Sequence, residues 1–153
     1  MVVRAVGYGV DESCLDHLLG YGLAQASIPV RQVFVRHVGE PMGLRPVEFT
    51  ILVLLAANPG ATARQLAQAL SLAAPNITIL LDRLAERGFL ERVRSEADRR
   101  AQHIHLTPAG ADLARRAHAV SKTMEHEVLR DLTEAERAML LELLQKVARQ
   151  RQR

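Results

Sequence analysis

The stretch SEADRRAQHIHLTPAG, residues 95–110, decides how this chain folds. Apolar and polar residues alternate over 103–106, which is the two-residue period of a half-buried strand. Thr107 followed by Pro108 is typical of a helix start, with a threonine N-cap and a proline in the first turn. The sequence therefore predicts a charged loop with two adjacent arginines, a short strand, and then a helix that begins at once.

Two short helices and a second strand precede this stretch. Thr62 and Gln65 form a capping-box pattern that begins the first helix, and PNITILLDRLAERG at 75–88 carries an aliphatic stripe at helical spacing. LERVR at 90–94 then supplies a strand that can pair with HIHLT at 103–107. Two helices joined by a tight turn and followed by a β-hairpin predict a helix-turn-helix with a wing.

Further helices flank this unit. On the N-terminal side the pattern predicts a helix over 11–38 with a kink at Pro29, a break at GEPMG over 39–43, and a buried helix from Pro46 to the stop at 58–60. On the C-terminal side one helix is expected from 108 to about 130. A last helix follows a second capping box, formed by Thr133 and Glu136.

The length and composition of the chain predict a single domain whose core is aliphatic and whose elements are mostly helices. The 153 residues are 48% hydrophobic but include only three phenylalanines, two tyrosines and no tryptophan. No apolar run reaches the roughly 18 residues of a membrane span, and no export signal is recognisable. The lone cysteine, Cys14, cannot form an internal disulfide, which favours the cytoplasm. A net charge of +3 permits nucleic acid as a partner without establishing it.

The segment 44–110 resembles the MarR group of winged-helix transcription regulators. The resemblance rests on RPVEFTILVLL, RQLAQALSL, ITILLDRLAERGFLER and, above all, DRRAQHIHLTPAG. The signature of that family is Asp-Xaa-Arg in the wing tip, then a strand that ends in Leu-Thr, then a glycine. In this chain those positions are Asp98, Arg99, Arg100, Leu106, Thr107 and Gly110.

The predicted fold class is mainly α with a small β-wing, in one domain over 1–153. It comprises an N-terminal dimerisation helix at 11–43, the winged helix-turn-helix DNA-binding region at 44–107, and C-terminal dimerisation helices at 108–153. Both flanking regions carry faces too apolar for water, and a symmetric homodimer is the simplest way to cover them.

The aliphatic stripe over 75–88 leaves an outward side that predicts contacts to DNA in the major groove. The amide of Asn76 can pair with adenine, and the methyl groups of Thr78 and Ile79 can meet thymine methyls, although Ile79 could equally pack on a neighbouring helix. Arginines nearby, including Arg92, are expected to reach phosphates. The candidate DNA-contacting residues before the wing tip are Arg64, Ala74, Pro75, Asn76, Thr78, Ile79, Arg83 and Arg94.

The resemblance adds the wing tip to this set. It implies that Arg100 enters a minor groove, with Arg99 beside it, and that Asp98 shapes the loop by pairing with an arginine. Narrow A·T stretches concentrate negative potential that attracts guanidinium groups. Without the resemblance, the same residues would be read as a solvated charged hairpin. The implied partner is a double-stranded operator with two half-sites about one helical turn apart.

Members of this family commonly release DNA when they bind a small, often aromatic anion, or when a cysteine is oxidised. The resemblance implies an effector region between the dimer helices and the winged unit, lined here by His17, Tyr21 and Phe49, although a lone histidine is more often surface or packing. Cys14 is a redox candidate because a helix N-terminus and His17 favour its thiolate. Oxidation sensors place tyrosines near such a cysteine, and residues 30–57 contain none, which favours an inert Cys14.

The sequence thus predicts a repressor that a small effector releases from a pseudo-palindromic operator. The alternatives are a redox-sensing regulator that acts through Cys14 and a non-specific architectural DNA-binding protein. An enzyme is not predicted, because no Gly-rich phosphate loop, Ser-His-Asp order or apolar carboxylate pair is present. His103 and His105 share a strand face, but spacing supplies no further ligands, so neither a metal site nor a cofactor is predicted.

Overall fold

The computed structural model describes residues 9–94 and 102–152. It is mainly helical, with one two-stranded antiparallel sheet among the described residues. The α-helices are α1 (Leu19–Phe34), α2 (Glu40–Met42), α3 (Pro46–Ala57), α4 (Ala63–Leu70), α5 (Ala74–Glu86), α6 (Pro108–Ser121) and α7 (Glu134–Ala148), and the strands are β1 (Leu90–Arg94) and β2 (Gln102–Leu106). Short 3₁₀ turns occupy Ser13–Leu15, Met124–His126 and Arg149–Gln152, and a π-helical turn occupies Val35–Gly39.

The N-terminal helix begins later than the pattern over 11–38 predicts. The Asp11 carboxylate accepts the backbone N–H of Ser13 at 3.0 Å where a 3₁₀ turn begins, and the extended backbone of Leu18 separates that turn from α1. Asp11 and Ser13, which could have capped a helix over 11–38, therefore lie at this turn and do not cap the long helix. The helix proper therefore begins at Leu19.

The predicted break at GEPMG is also wrong, since helical backbone continues through the π turn and α2 and ends at Gly43. Pro41 has no N–H to donate within this run, and it lies directly after the π turn of Val35–Gly39. Gly43 has φ of +61°, a left-handed conformation that glycine adopts without strain, and this lets the N–H of Leu44 donate to the carbonyl of Gly39 at 3.1 Å.

The core lies where α3, α4, α5 and α6 meet the hairpin. Ile51, Leu52 and Leu55 of α3 and Ile77 and Leu81 of α5 are all at most 1% exposed. The predicted helices over this region are confirmed, as are the Thr62–Gln65 capping box and the inward stripe of α5. The run in α3 is not buried on every side, because Val53 and Leu54 keep partial exposure.

The base of the wing is held by backbone pairing on both sides of β2. β1 pairs with β2 in antiparallel register, with Leu90 opposite Leu106. On its other side, the Ile104 N–H donates to Ala61 and its carbonyl accepts from Gly60, each at 3.1 Å. Ile104 is 1% exposed, so the hairpin is anchored in the core as its alternation predicts.

Thr107 caps α6 as predicted, since its hydroxyl accepts the Gly110 N–H at 3.1 Å and donates to the Gly88 carbonyl at 2.6 Å. The predicted extension of this helix to about 130 is wrong, because α6 ends at Ser121. The hydroxyl of Ser121 donates back to the carbonyl of His118, and Thr123 leaves the helical conformation with φ of −125°. A 3₁₀ turn and further turns lead from there to α7.

The last helix begins at the Thr133–Glu136 capping box, as predicted. Apolar side chains on the flanking helices remain exposed in the single chain, among them Leu19, Leu23 and Ile28 of α1 at 41–55% and Met139, Leu141 and Leu143 of α7 at 49–57%. Within the part of the chain that the structure describes, no helix has the length and apolar character needed to cross a membrane.

Candidate nucleic-acid interface

α4 and α5 form a helix-turn-helix whose turn is closed by backbone hydrogen bonds. Ser71 ends α4 in the left-handed conformation with φ of +53°, and the N–H of Leu72 donates to the Ala67 carbonyl at 2.9 Å. Pro75 lies in the first turn of α5, where its missing N–H costs nothing. This turn leaves the N-terminal half of α5 at the surface, which is the half that reaches base edges in helix-turn-helix proteins.

The side chains predicted to face DNA are exposed on this half of α5. Ile79 is 53% exposed, so it does not pack on a neighbouring helix in this chain. The opposite side of the same helix carries Ile77, Leu81 and Leu84, all at most 1% exposed. The other candidates on α5 are also exposed, and they are Ala74, Pro75, Asn76, Thr78 and Arg83.

A recess of about 530 Å³ separates the two helices of the motif at the surface. Arg64 of α4 and Thr78 of α5 line the same recess, so this exposed arginine lies beside the N-terminal half of α5. Most of the remaining lining is apolar, and the full set is Ala63, Arg64, Ala67, Gln68, Ser71, Leu72, Ala74, Ile77 and Thr78.

The first strand of the wing is joined to α5 by an ion pair that the sequence pattern does not indicate. Arg92 of β1 donates to Oδ1 of Asp82 at 2.5 Å. Arg92 was predicted to contact phosphate, whereas in the structure its guanidinium is engaged by α5. Arg94 is exposed on the same strand. Asp98, Arg99 and Arg100, the predicted residues of the wing tip, lie outside the described residues.

A second unpredicted contact fixes the C-terminal end of α5. Glu48 is 3% exposed, and its carboxylate accepts the Arg45 N–H at 2.9 Å and a guanidinium N–H of Arg87 at 3.4 Å. Arg87 also donates to the Gly43 carbonyl at 2.8 Å and lies over the Phe89 ring, 4.9 Å from its centroid. The guanidinium thus connects Gly43, the first turn of α3 and the end of α5.

Comparison with known proteins identifies the type of regulator. A model described as the MarR family matches residues 42–101. The multiple antibiotic resistance protein MarR of Escherichia coli (strain K12) is 31% identical over 108 residues, which cover 70% of this chain and 75% of that protein. This chain belongs to the MarR family. The predicted family and fold class are thereby confirmed, and the protein is a MarR-type transcription regulator.

Solved MarR-type structures have closely similar folds. The transcriptional repressor CouR bound to a 23-mer DNA duplex has a TM-score of 0.83 and 35% identity, and the match covers 91% of this chain and 98% of that one. CouR bound to p-coumaroyl-CoA has a TM-score of 0.81 and 33% identity, covering 92% and 98%.

The three effector candidates of this MarR-family chain have separate surroundings. His17 is exposed just before α1. The Tyr21 hydroxyl donates to the Glu12 carboxylate at 2.5 Å, and this hydrogen bond raises the pKa of the phenol above its ordinary value. Phe49 packs edge-on against Phe34 beside the core, with ring centroids 5.7 Å apart.

A recess lined by two arginines lies between α1 with its following π turn and the segment 127–130. It has a volume of about 360 Å³, and the ion pair between Arg36 and Glu127 is part of its wall. Arg130 adds a second guanidinium, and the remaining lining residues are Pro29, Gln32, Val33 and Val128. Nothing in the sequence pattern pointed to this recess, because its walls come from segments about 90 residues apart.

The candidate redox residue Cys14 and the candidate metal ligand His103 lie apart from any cluster of ligands that the structure describes. Cys14 is exposed in the 3₁₀ turn before α1. Nδ1 of His103 is 2.7 Å from the Gly60 carbonyl, which uses one ring nitrogen for the base of the wing. Over 9–94 and 102–152, no group of three or more potential ligands is arranged to hold a metal ion.

Proposed function

We propose that this protein is a cytoplasmic, sequence-specific repressor that binds a pseudo-palindromic DNA operator as a homodimer and is released by a small aromatic anion. The observation that carries the proposal is the exposed N-terminal half of α5: Asn76, Thr78 and Ile79 are exposed while the opposite side of the helix is buried, and Thr78 lines a recess together with Arg64. A surface isoleucine on a helix that presents an amide and arginines fits the chemistry of base edges and phosphates.

The candidate residues divide into two roles. Asn76, Thr78 and Ile79, with Ala74 and Pro75, are proposed to meet base edges in the major groove, the amide of Asn76 pairing with adenine. Arg64, Arg83 and Arg94 are proposed to neutralise phosphates, which sets the position of the protein on DNA without reading sequence. Asp98, Arg99 and Arg100 of the wing remain proposed for the adjacent minor groove.

The homodimer is supported by the apolar side chains that α1 and α7 leave exposed. Leucine, isoleucine and methionine at 40–57% exposure on the two flanking helices form a large area that a second copy can cover. In helix-turn-helix dimers the two recognition helices lie about one turn of DNA apart, so a homodimer of this chain would suit a pseudo-palindromic site. The proposed division of the chain into 11–43, 44–107 and 108–153 follows from these roles.

The nature of the effector is supported by CouR, whose bound ligand is an aromatic acyl thioester of coenzyme A. The recess with Arg36 and Arg130 is smaller than that whole ligand, but it offers positive charge to the carboxylate of a small aromatic acid, and displacement of Glu127 would free Arg36 for it. His17, Tyr21 and Phe49 remain proposed as the alternative lining. Thermal unfolding with p-coumaroyl-CoA or p-coumarate, compared with coenzyme A alone, tests this, because a ligand that binds only the folded protein raises its melting temperature.

DNA binding is tested by fluorescence anisotropy with the duplex that flanks the gene and with a shuffled duplex of equal length. A repressor is expected to prefer its operator by at least about a thousandfold, whereas an architectural protein binds both alike. Asn76→Ala should reduce the preference at one base position, and Arg64→Ala should weaken both duplexes and flatten the salt dependence. Equal affinity of the unaltered protein for both duplexes would contradict the proposal.

A redox switch at Cys14 is the second candidate, because this cysteine is exposed. Operator affinity is measured before and after peroxide treatment for the unaltered protein and for Cys14→Ser. Loss of affinity that occurs only when Cys14 is present would establish the switch. We expect equal responses, because the described contacts around Tyr21 direct its hydroxyl to Glu12 and not to the sulfur.

A further inference from the structure

Four exposed residues on the first turns of α5 present apolar groups to the outside. Ala74 and Thr78 are one helical turn apart, as are Pro75 and Ile79, and the two rows are neighbours on the helix. All four residues are exposed. We call Ala74, Pro75, Thr78 and Ile79 the methyl-facing patch.

Thr78 belongs to this patch because its hydroxyl is already used. The Thr78 Oγ1–H donates to the Ala74 carbonyl at 2.9 Å, within the same helix. Its proton is therefore engaged with the backbone and is not free for a base acceptor such as guanine O6 or thymine O4. The group that remains for contact with a thymine is the methyl.

The recess between α4 and α5 extends the patch. Ala74 and Thr78 form one of its walls, and Ala67 and Leu72 contribute further apolar surface. Arg64 stands at the same recess and carries the charge that attracts a phosphate backbone. An apolar depression beside an exposed arginine suits the edge of a base that carries a methyl group.

The one carboxylate next to the patch on α5 is neutralised. Asp82 lies one turn beyond Thr78, and Arg92 holds its carboxylate at 2.5 Å. An unpaired carboxylate at this position would accept a hydrogen bond from cytosine N4 and repel phosphates. Asp82 is paired and does not read a base. The amide of Asn76 is then the polar group beside the patch, on the first turns of α5, that can bond a base edge.

We infer that the methyl-facing patch reads the 5-methyl groups of thymines in each operator half-site. Of the four base pairs, only those with thymine present a methyl in the major groove. This inference rests on the proposed function and adds a chemical specificity to it: the patch selects thymine over cytosine by apolar contact, and Asn76 selects adenine by hydrogen bonding.

The test replaces thymine by uracil, which pairs identically and lacks only the methyl. A preferred duplex is first selected by the full-length protein from a random 30-base-pair library, and it is then synthesised with uracil at single thymine positions. Burial of one methyl predicts about fourfold weaker binding for a substitution in one half-site, and roughly fifteenfold for the symmetric pair. Uracil in the flanks is the matched DNA control and should leave the affinity unchanged.

Protein variants assign the effect to the patch. Thr78→Ser keeps the hydroxyl and removes the methyl, so it should bind thymine and uracil duplexes equally at the position that Thr78 contacts. Thr78→Val keeps a methyl and removes the hydroxyl, so it should retain the discrimination. Ile79→Ala should abolish it at a second position. Circular dichroism melting curves confirm that each variant is folded.

The outcomes separate this inference from the proposed function. Failure of the library to yield any preferred duplex would overturn the proposed function, and the inference with it. A preferred duplex that binds equally well with uracil would overturn the inference alone. A uracil effect that persists unchanged in Thr78→Ser and Ile79→Ala would also overturn it, because the methyl groups would then act through the shape of the DNA.

Discussion

Arg92 and Asp82 join the wing to α5 through a hydrogen-bonded ion pair with 2.5 Å between nitrogen and oxygen. One residue lies in the first strand of the hairpin and the other faces outward from α5. The pair therefore links α5 directly to the first strand of the hairpin. It also removes a negative charge from a surface proposed to meet phosphates.

Arg92→Met is expected to weaken operator binding about tenfold, because Asp82 is left as an unpaired carboxylate near the DNA. Asp82→Asn in the same chain should recover most of the loss, since the repelling charge is then gone. Stability should change little, because both side chains are partly exposed and such pairs contribute at most about 1 kcal/mol. An anisotropy double-mutant cycle measures the coupling, and a double variant as weak as Arg92→Met would show that Arg92 contacts DNA directly.

Arg87→Met is expected to lower the free energy of unfolding by about 2 kcal/mol, because Glu48 then keeps a buried carboxylate without its cation. The cost is held below that of a fully buried pair, since the Arg87 side chain is 35% exposed. Glu48→Gln should cost less, because its amide oxygen can still accept the Arg45 N–H. Urea unfolding of both variants and of the double variant tests this, with Arg115→Met as a control that removes one exposed cation. A cost for Arg87→Met no larger than that of the control would contradict it.

Gly110→Ala is expected to destabilise the protein by about 3 kcal/mol, the upper range for forcing extra atoms into a packed site. A Cβ at Gly110 would overlap the backbone carbonyl of Phe89, which cannot swing aside as a side chain would. Gly20→Ala, where a Cβ meets nothing within 4 Å, is the matched control and should be neutral or stabilising. The melting temperatures of the two variants at equal protein concentration provide the measurement. Similar melting temperatures would show that α6 can shift away from Phe89 without cost.

The start of α7 should weaken in acid. The Thr133 backbone N–H and hydroxyl donate to the Glu136 carboxylate, which holds the pKa of Glu136 below its ordinary value of 4.5. A carboxyl whose pKa is lower in the folded state stabilises the fold above its unfolded pKa and loses that contribution as the pH falls through the folded value. Denaturant unfolding measures the free energy of unfolding of the unaltered protein and of Glu136→Gln. The difference between the two should be full at pH 6 and should shrink below pH 4.5. A difference of constant size would exclude this role for the carboxylate.

Local patterns predicted the parts of the fold that local chemistry determines. The capping pairs Thr62–Gln65 and Thr133–Glu136 and the cap at Thr107 stand where the sequence placed them, because each hydrogen bond closes within three residues. Alternation predicted the strand pair and the inward-facing Ile104, but it did not give the register, in which Leu90 lies opposite Leu106. Exposure of the proposed DNA-facing residues followed from the stripe of α5 in the same way.

Features that depend on distant residues were missed. Glu48 and Arg87 are 39 positions apart, and nothing near either residue indicates the other. Arg92 was assigned to phosphate because a strand pattern cannot show that α5 brings Asp82 to it. The late start of α1 depends on the extended backbone of Leu18, and the helical run ends at the left-handed Gly43; periodicity detects neither conformation.

The hydroxyl of Thr107 has a consequence for building chimeric regulators. It donates to the Gly88 carbonyl, which follows α5, and accepts the Gly110 N–H in the first turn of α6, so a junction at the end of the hairpin would break one of these bonds. A graft that moves the proposed DNA-binding region of this chain onto another regulator has to carry Thr107 and Gly110 with it. The usable junction on that side lies within α6, downstream of Gly110.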